Sequence, residues 1–180
     1  MTTLYIGVDP GRHGGIALLG PRGPKQGLSA TVWVHSARVA PLPWSARGLD
    51  CGALAHWLAP EGQILGDAKA LVEDPCPVVR GGRRQAPRSV ETIFCEFGKT
   101  LAVLELAGVE ITRVSAVTWR KAAGLPRTVG GKTEAERRRN RKALSVARAY
   151  ALRPDLGMLA DGPAEALLLA LVAQQRGGRR

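Results

Sequence analysis

Apolar positions along this chain come in short runs closed by turn-forming residues, and their spacing separates strands from helices. Leu4-Tyr5-Ile6-Gly7-Val8 is rich in strand formers and ends at Asp9, and a second apolar run covers Gly14–Leu19. The intervening Asp9-Pro10-Gly11-Arg12-His13-Gly14 has the composition of a tight hairpin connection. Gly20–Leu28 reads as a loop, and Thr31–His35 predicts a third strand. Pro41-Leu42-Pro43-Trp44 interrupts the chain before a helix over Leu49–Leu58, stopped by Pro60. Ala70–Glu73 has the pattern of an interior strand that Pro75 and Pro77 end.

The second half is helix-rich. Ile93, Phe97, Leu101 and Leu104 recur at helical spacing and predict a helix from a Ser89 cap to about Gly108. Val109–Val114 fits a strand and Val117–Ala123 a short helix, and Gly130-Gly131 separates that helix from a basic one near Lys132–Leu152. Pro154–Ala160 links to a final apolar helix over Pro163–Gln175, with Pro163 suited to its first turn. Helices between the later strands predict an α/β layer, with a five-stranded central sheet flanked by helices. The opening hairpin makes that sheet mixed. Residues 1–176 read as one domain and 177–180 as a frayed basic tail.

Composition narrows the function classes. A chain of 180 residues, 45% hydrophobic, supports one domain with an ordinary core. Its 26 Lys and Arg against 15 Asp and Glu give a net charge of +11, which draws the chain toward phosphate backbones. No apolar run approaches the roughly 20 residues that span a bilayer, so no membrane partner is expected. The start Met1-Thr2-Thr3-Leu4 lacks a basic secretory lead, and the expected setting is cytoplasmic. Cys51, Cys76 and Cys95 are odd in number and form no C-x-x-C pair, so they read as small apolar fillers rather than zinc ligands.

Against this basic background, four acids close or open the most apolar segments. Asp9 ends the first strand, Glu73 ends Ala70-Leu71-Val72, and Asp161 and Glu165 lie one turn apart at the start of the last helix. Carboxylates at strand ends can be held rigidly beside a cleft, and Mg²⁺ prefers such hard oxygen ligands. Two ions about 4 Å apart activate a water nucleophile and stabilise a leaving oxygen in phosphodiester cleavage. Each acid also has a simpler reading: strand-end acids are commonly solvated, Asp161 suits an N-cap, and Glu165 favours the positive helix end. Asp74 rivals Glu73, although strand alternation groups Glu73 with Leu71.

Ile6-Gly7-Val8-Asp9-Pro10-Gly11, Leu71-Val72-Glu73 and Ala164-Glu165-Ala166-Leu167-Leu168-Leu169-Ala170 together resemble the Holliday junction resolvases of the RuvC family, which have a ribonuclease-H-like fold. The resemblance in motif order covers most of residues 4–173. It implies a homodimer making paired incisions in four-way DNA, with two Mg²⁺ (or Mn²⁺) ions per site, in a bacterial or phage-infected cytoplasm. It maps metal-binding catalytic acids onto Asp9, Glu73 and Glu165. In familiar bacterial members the last two metal positions are three residues apart, which would fall on Gly162, whereas here Asp161 stands four before Glu165 and is retained as the fourth acid. A nuclease acting on RNA–DNA hybrid and a noncatalytic junction binder are the competing readings.

Two basic zones are candidates for holding nucleic acid by its phosphates. Arg80, Arg83, Arg84 and Arg88 occupy a glycine-bearing segment free of acids, and Arg137, Arg138, Arg141 and Lys142 crowd the basic helix. Trp119, Arg120, Lys121 and Lys132 add an edge where an aromatic could stack on a base. The alternative for the basic zones is a solvated face balanced by Glu134 and Glu136; for Trp119 it is an anchor for the short helix.

Overall fold

A computed structural model describes residues 3–20, 37–46, 48–58, 67–75 and 87–177. Its core is a five-stranded sheet in the order β3-β2-β1-β6-β7. These strands are β1 (Leu4–Asp9), β2 (Gly15–Leu19), β3 (Ala37–Pro41), β6 (Ala68–Glu73) and β7 (Glu110–Val114). A two-stranded ribbon, β4 (Trp44–Ser45) with β5 (Gly48–Leu49), stands apart from it. The helices are α1 (Cys51–Leu58), α2 (Pro87–Leu106), α3 (Ala116–Ala122), α4 (Glu134–Leu152) and α5 (Asp161–Gly177). β1 pairs antiparallel with β2 and parallel with β6, and β6 continues parallel to β7. The mixed five-stranded α/β sheet expected from the sequence is therefore present.

Several boundaries differ from the expectation for local reasons. Thr31–His35 lies outside the described residues, and the strand that pairs with β2 is Ala37–Pro41. Pro41 is tolerated because β3 is an edge strand. α2 begins at Pro87, so Ser89 lies inside the helix; proline's fixed φ suits the first helical position. α4 begins after Thr133, whose hydroxyl and the Glu136 side chain form a capping box. Cys95 is exposed and not a core filler, while Phe97 is buried as its spacing predicts.

Strand alternation divides the core in two. Ile6, Val8, Ile16, Leu18, Ala70 and Val72 face α1 and α2, with Leu54, Phe97 and Leu104. Ala17, Leu19, Leu71 and Val114 face α5, together with Trp119 and Ala149 from α3 and α4. Nine residues of α5 are buried, among them Leu167, Leu168 and Leu169 in succession. A helix this apolar on several sides must sit under other elements, and α4 covers it against the sheet.

Glycines set how closely α5 approaches. A Cβ on Gly7 would fall well inside contact distance of the Ala166 carbonyl and the Ala170 amide. One on Gly15 would strike the Pro163 backbone, and one on Gly162 the His13 carbonyl. Gly14 and Gly162 form an isolated bridge between the hairpin and the start of α5. Helix backbone thus rests on strand backbone.

Gly7→Ala should destabilise the protein by about 3 kcal/mol or more, because two backbone segments must part. Gly98→Ala, in open space on α2, should stabilise it by up to about 1 kcal/mol through helix propensity. Urea denaturation of the two variants checks this contrast, and equal midpoints would contradict it.

Candidate active site

Asp9 and Glu73 end adjacent parallel strands, each one residue beyond the paired Val8 and Val72. Since Val8 and Val72 belong to the α1–α2 side of the core, alternation turns Asp9 and Glu73 toward α5. Asp74, the rival, begins the exit from the strand and pairs with Arg113, whose Nε donates to Oδ1 at 2.6 Å. Glu165 lies in the second turn of α5, the helix seated over β1 and β2.

The three acids feel one another. Burial raises the Glu73 carboxyl to about pKa 8, and the Asp9 charge adds to this; the Trp119 N–H opposes it, Glu165 raises it further and Arg120 lowers it. Burial also raises Asp9 to about 6, reinforced by Glu165 and offset by the Gly11 amide and Lys142. The Gly11 amide donates to Asp9 Oδ1 at 3.3 Å across the turn. Asp9, Glu73 and Glu165 therefore share one electrostatic site at the carboxyl end of the parallel strands.

Each acid is held by a different partner. Trp119 Nε1 donates to Glu73 Oε2 at 2.6 Å. Glu165 Oε1 accepts from Arg120 Nη1 and from Ser145 Oγ, both at 2.9 Å. Arg120 also donates to Ser145 Oγ and to the Arg141 carbonyl. Asp161, the first residue of α5, is ion-paired with Lys142. The position three before Glu165 is Gly162, where packing against His13 and Gly14 leaves no room for a side chain. The structure thus places Asp9, Glu73 and Glu165 within electrostatic reach of one another, short of a shared ion-binding distance, and pairs Asp161 with Lys142, which also acts on Asp9.

The basic candidates divide. Trp119 is 1% exposed, so its ring is packed in the core and has no free face to stack on a base. Arg120 turns inward to Glu165 rather than outward to phosphate. Arg137 and Arg141 both bond Glu134. Lys121, Lys132 and Arg138 are exposed and have no carboxylate partner among the described residues. Arg80, Arg83 and Arg84, and the side chain of Arg88, lie outside the described residues. Ser145 was not predicted from the sequence. Its only signal there is its place one turn before Ala149 on the inward face of a basic helix, where a fully buried hydroxyl needs a partner.

A divalent ion suits this donor set in kind. The candidate ligands are hard carboxylate oxygens, and the burial and neighbouring negative charge that raise Asp9 and Glu73 are what a cation would offset. Among the described residues no three acidic, imidazole or thiol side chains are gathered closely enough to hold an ion as they stand.

No protein-family model and no curated protein matches the chain. Solved structures do match. A structure of Thermus thermophilus RuvC aligns over 99% of this chain and 97% of its own, at 16% identity and TM-score 0.54. T. thermophilus RuvC in complex with a Holliday junction substrate aligns over the same shares, at 15% identity and TM-score 0.52. The fold of this chain is the ribonuclease-H-like fold seen in RuvC.

The raised carboxyls make stability depend on pH. Glu73 has a native pKa of about 8 against an ordinary value of 4.5, so the native state holds more protons between those limits. Its contribution is complete below the lower value and is lost as pH rises through the upper one. Without divalent metal, Tm should fall by several degrees between about pH 5 and about pH 8.5. Glu73→Gln should flatten that fall, and Mg²⁺ should restore more stability at the alkaline end. Melting curves across pH measure this, and parallel profiles for the two proteins would contradict it.

Proposed function

We propose that this chain is a Mg²⁺-dependent, structure-selective endonuclease of the RuvC type, which resolves four-way DNA junctions as a homodimer by paired incisions. The observation that carries the reading is the grouping of Asp9, Glu73 and Glu165 at the carboxyl edge of the parallel strands, in a fold shared with RuvC over nearly the whole chain. Fold alone supports many chemistries, so the acids carry the catalytic part. The junction substrate in the matched complex supports branched DNA as the ligand class.

Asp9, Glu73 and Glu165 would hold the metal. Two Mg²⁺ ions held there, or Mn²⁺ in their place, would supply activation of a water and stabilisation of the leaving oxygen; the RuvC resemblance implies a 5′-phosphate and a 3′-hydroxyl as products. The buried Trp119 and the salt-bridged Arg120 keep Glu73 and Glu165 from turning away. Lys142 offsets the charge of Asp9, and Asp161 holds Lys142. Asp161 therefore tunes the site from outside the three acids.

The net charge of +11 supplies long-range attraction to DNA, and exposed Lys121, Lys132 and Arg138 are suited to its backbone. Such contacts fix register and not sequence, so branch geometry would dominate substrate choice. Paired nicks on symmetry-related strands require two copies of the site, which a homodimer provides. Among the described residues no helix is long and apolar enough to cross a membrane. A bacterial or phage-infected cytoplasm is the proposed setting.

Strand-labelled four-way DNA, linear duplex and RNA–DNA hybrid, each incubated with Mg²⁺, test the reading. Symmetric nicks in the four-way junction are expected, with little cutting of linear duplex. Selective cutting of hybrid would assign another ribonuclease-H-like substrate, and binding without cleavage would make the chain a junction binder. Glu73→Gln should reduce cleavage to background while junction binding persists; unchanged cleavage would remove Glu73 from the metal site. Asp161→Asn should slow cleavage by about tenfold, as expected of an outer partner. Full activity would reduce Asp161 to a structural partner of Lys142.

A further inference from the structure

Two adjacent residues of one short helix each grip a different acid of the site. Trp119 reaches Glu73 on β6, and Arg120 reaches Glu165 on α5. Successive helical residues diverge by about 100°, so a helix standing between a strand and another helix can serve both. α3 occupies that place: Val114, the last residue of β7, precedes it, and Trp119 packs in the core shared with Leu71, Val114 and Leu167.

The grip is selective. Glu73 is bonded through Oε2 and Glu165 through Oε1. Among the described residues no protein donor bonds Glu73 Oε1 or Glu165 Oε2. A carboxylate with one oxygen bonded in this way has that oxygen restrained while its second oxygen stays free to ligate.

α3 is itself anchored at both ends. The Ser115 hydroxyl caps it by accepting from the Thr118 amide at 3.3 Å, and Arg148 Nε from α4 donates to the Ala123 carbonyl at 3.1 Å. Arg120 is fixed at three points, by Glu165, Ser145 and the Arg141 carbonyl. Trp119 is fully enclosed. Neither side chain has another conformation available without breaking this packing.

We propose that Trp119 and Arg120 are positioning residues, each fixing one carboxylate oxygen, of Glu73 and Glu165 respectively, so that the other oxygen is presented to the metal. This rests on the metal-site reading above. Arg120 is thereby a permanent partner of the site and not a phosphate contact. Neighbours that orient metal ligands typically affect affinity by about 10–100-fold when removed.

Mn²⁺ titration followed by the electron paramagnetic resonance of free ion tests this apart from activity. Trp119→Phe keeps the ring and deletes the N–H; Arg120→Gln deletes the charge and the fork. Each should weaken Mn²⁺ binding about tenfold, with the circular dichroism spectrum unchanged. Cleavage should be slow at limiting Mn²⁺ and return to near the wild-type rate at saturating Mn²⁺, a recovery that a distorted fold would not show. Arg120→Lys should recover part of the affinity. If Trp119→Phe fails to fold, Arg120→Gln decides. Wild-type affinity in a folded variant overturns the positioning role alone. Wild-type protein that binds no Mn²⁺ overturns the metal-site reading and this role with it.

Discussion

The close seating of α5 on β1 and β2 is the constraint on which the rest depends. Gly7, Gly15 and Gly162 lack the side chains that would hold the two backbones apart. A helix resting on ordinary strand residues would stand about 10 Å from the sheet, the usual spacing of packed layers. Here the absence of Cβ atoms lets Glu165 descend toward a sheet edge where Asp9 and Glu73 already stand side by side. Sequence local to the first strand and sequence at the start of the last helix thus act together across more than 150 residues.

That proximity has an electrostatic cost. Burial, and after it the charge of neighbouring carboxylates, holds Asp9 and Glu73 above their ordinary values. The chain offsets the repulsion from three sides: an indole N–H at Glu73, a guanidinium and a hydroxyl at Glu165, and an ammonium near Asp9. A divalent cation is the group that would satisfy the remainder. The surrounding excess of Lys and Arg would draw a polyanion to an acidic site it would otherwise avoid.

The sheet was legible because its strands obey simple alternation. Leu4–Val8 and Ala70–Glu73 announce themselves by period and by the prolines and glycines that end them. The three acids were legible as punctuation of apolar runs. What surrounds them was not. Trp119, Arg120 and Lys121 read as a candidate DNA edge, with a helix anchor as the alternative for Trp119; burial selects the anchor, and Arg120 turns inward. Asp161 read as a ligand by helical spacing, but its partner, Lys142, lies on another helix. Ser145 carried no usable signal, since a buried hydroxyl is defined by the neighbour it satisfies. Gly7 and Gly15 stand inside runs that read as strands, and their role lies in contacts with residues distant along the chain.

Anomalous diffraction from crystals grown with Mn²⁺ is the most direct measurement of the shared acidic site. Peaks bounded by Asp9, Glu73 and Glu165 are expected, with Trp119 and Arg120 still bonded to the far oxygens of their acids. Density for Mn²⁺ only beside Asp161, or a metal-soaked crystal in which the three carboxylates remain apart and bind no ion, would contradict it.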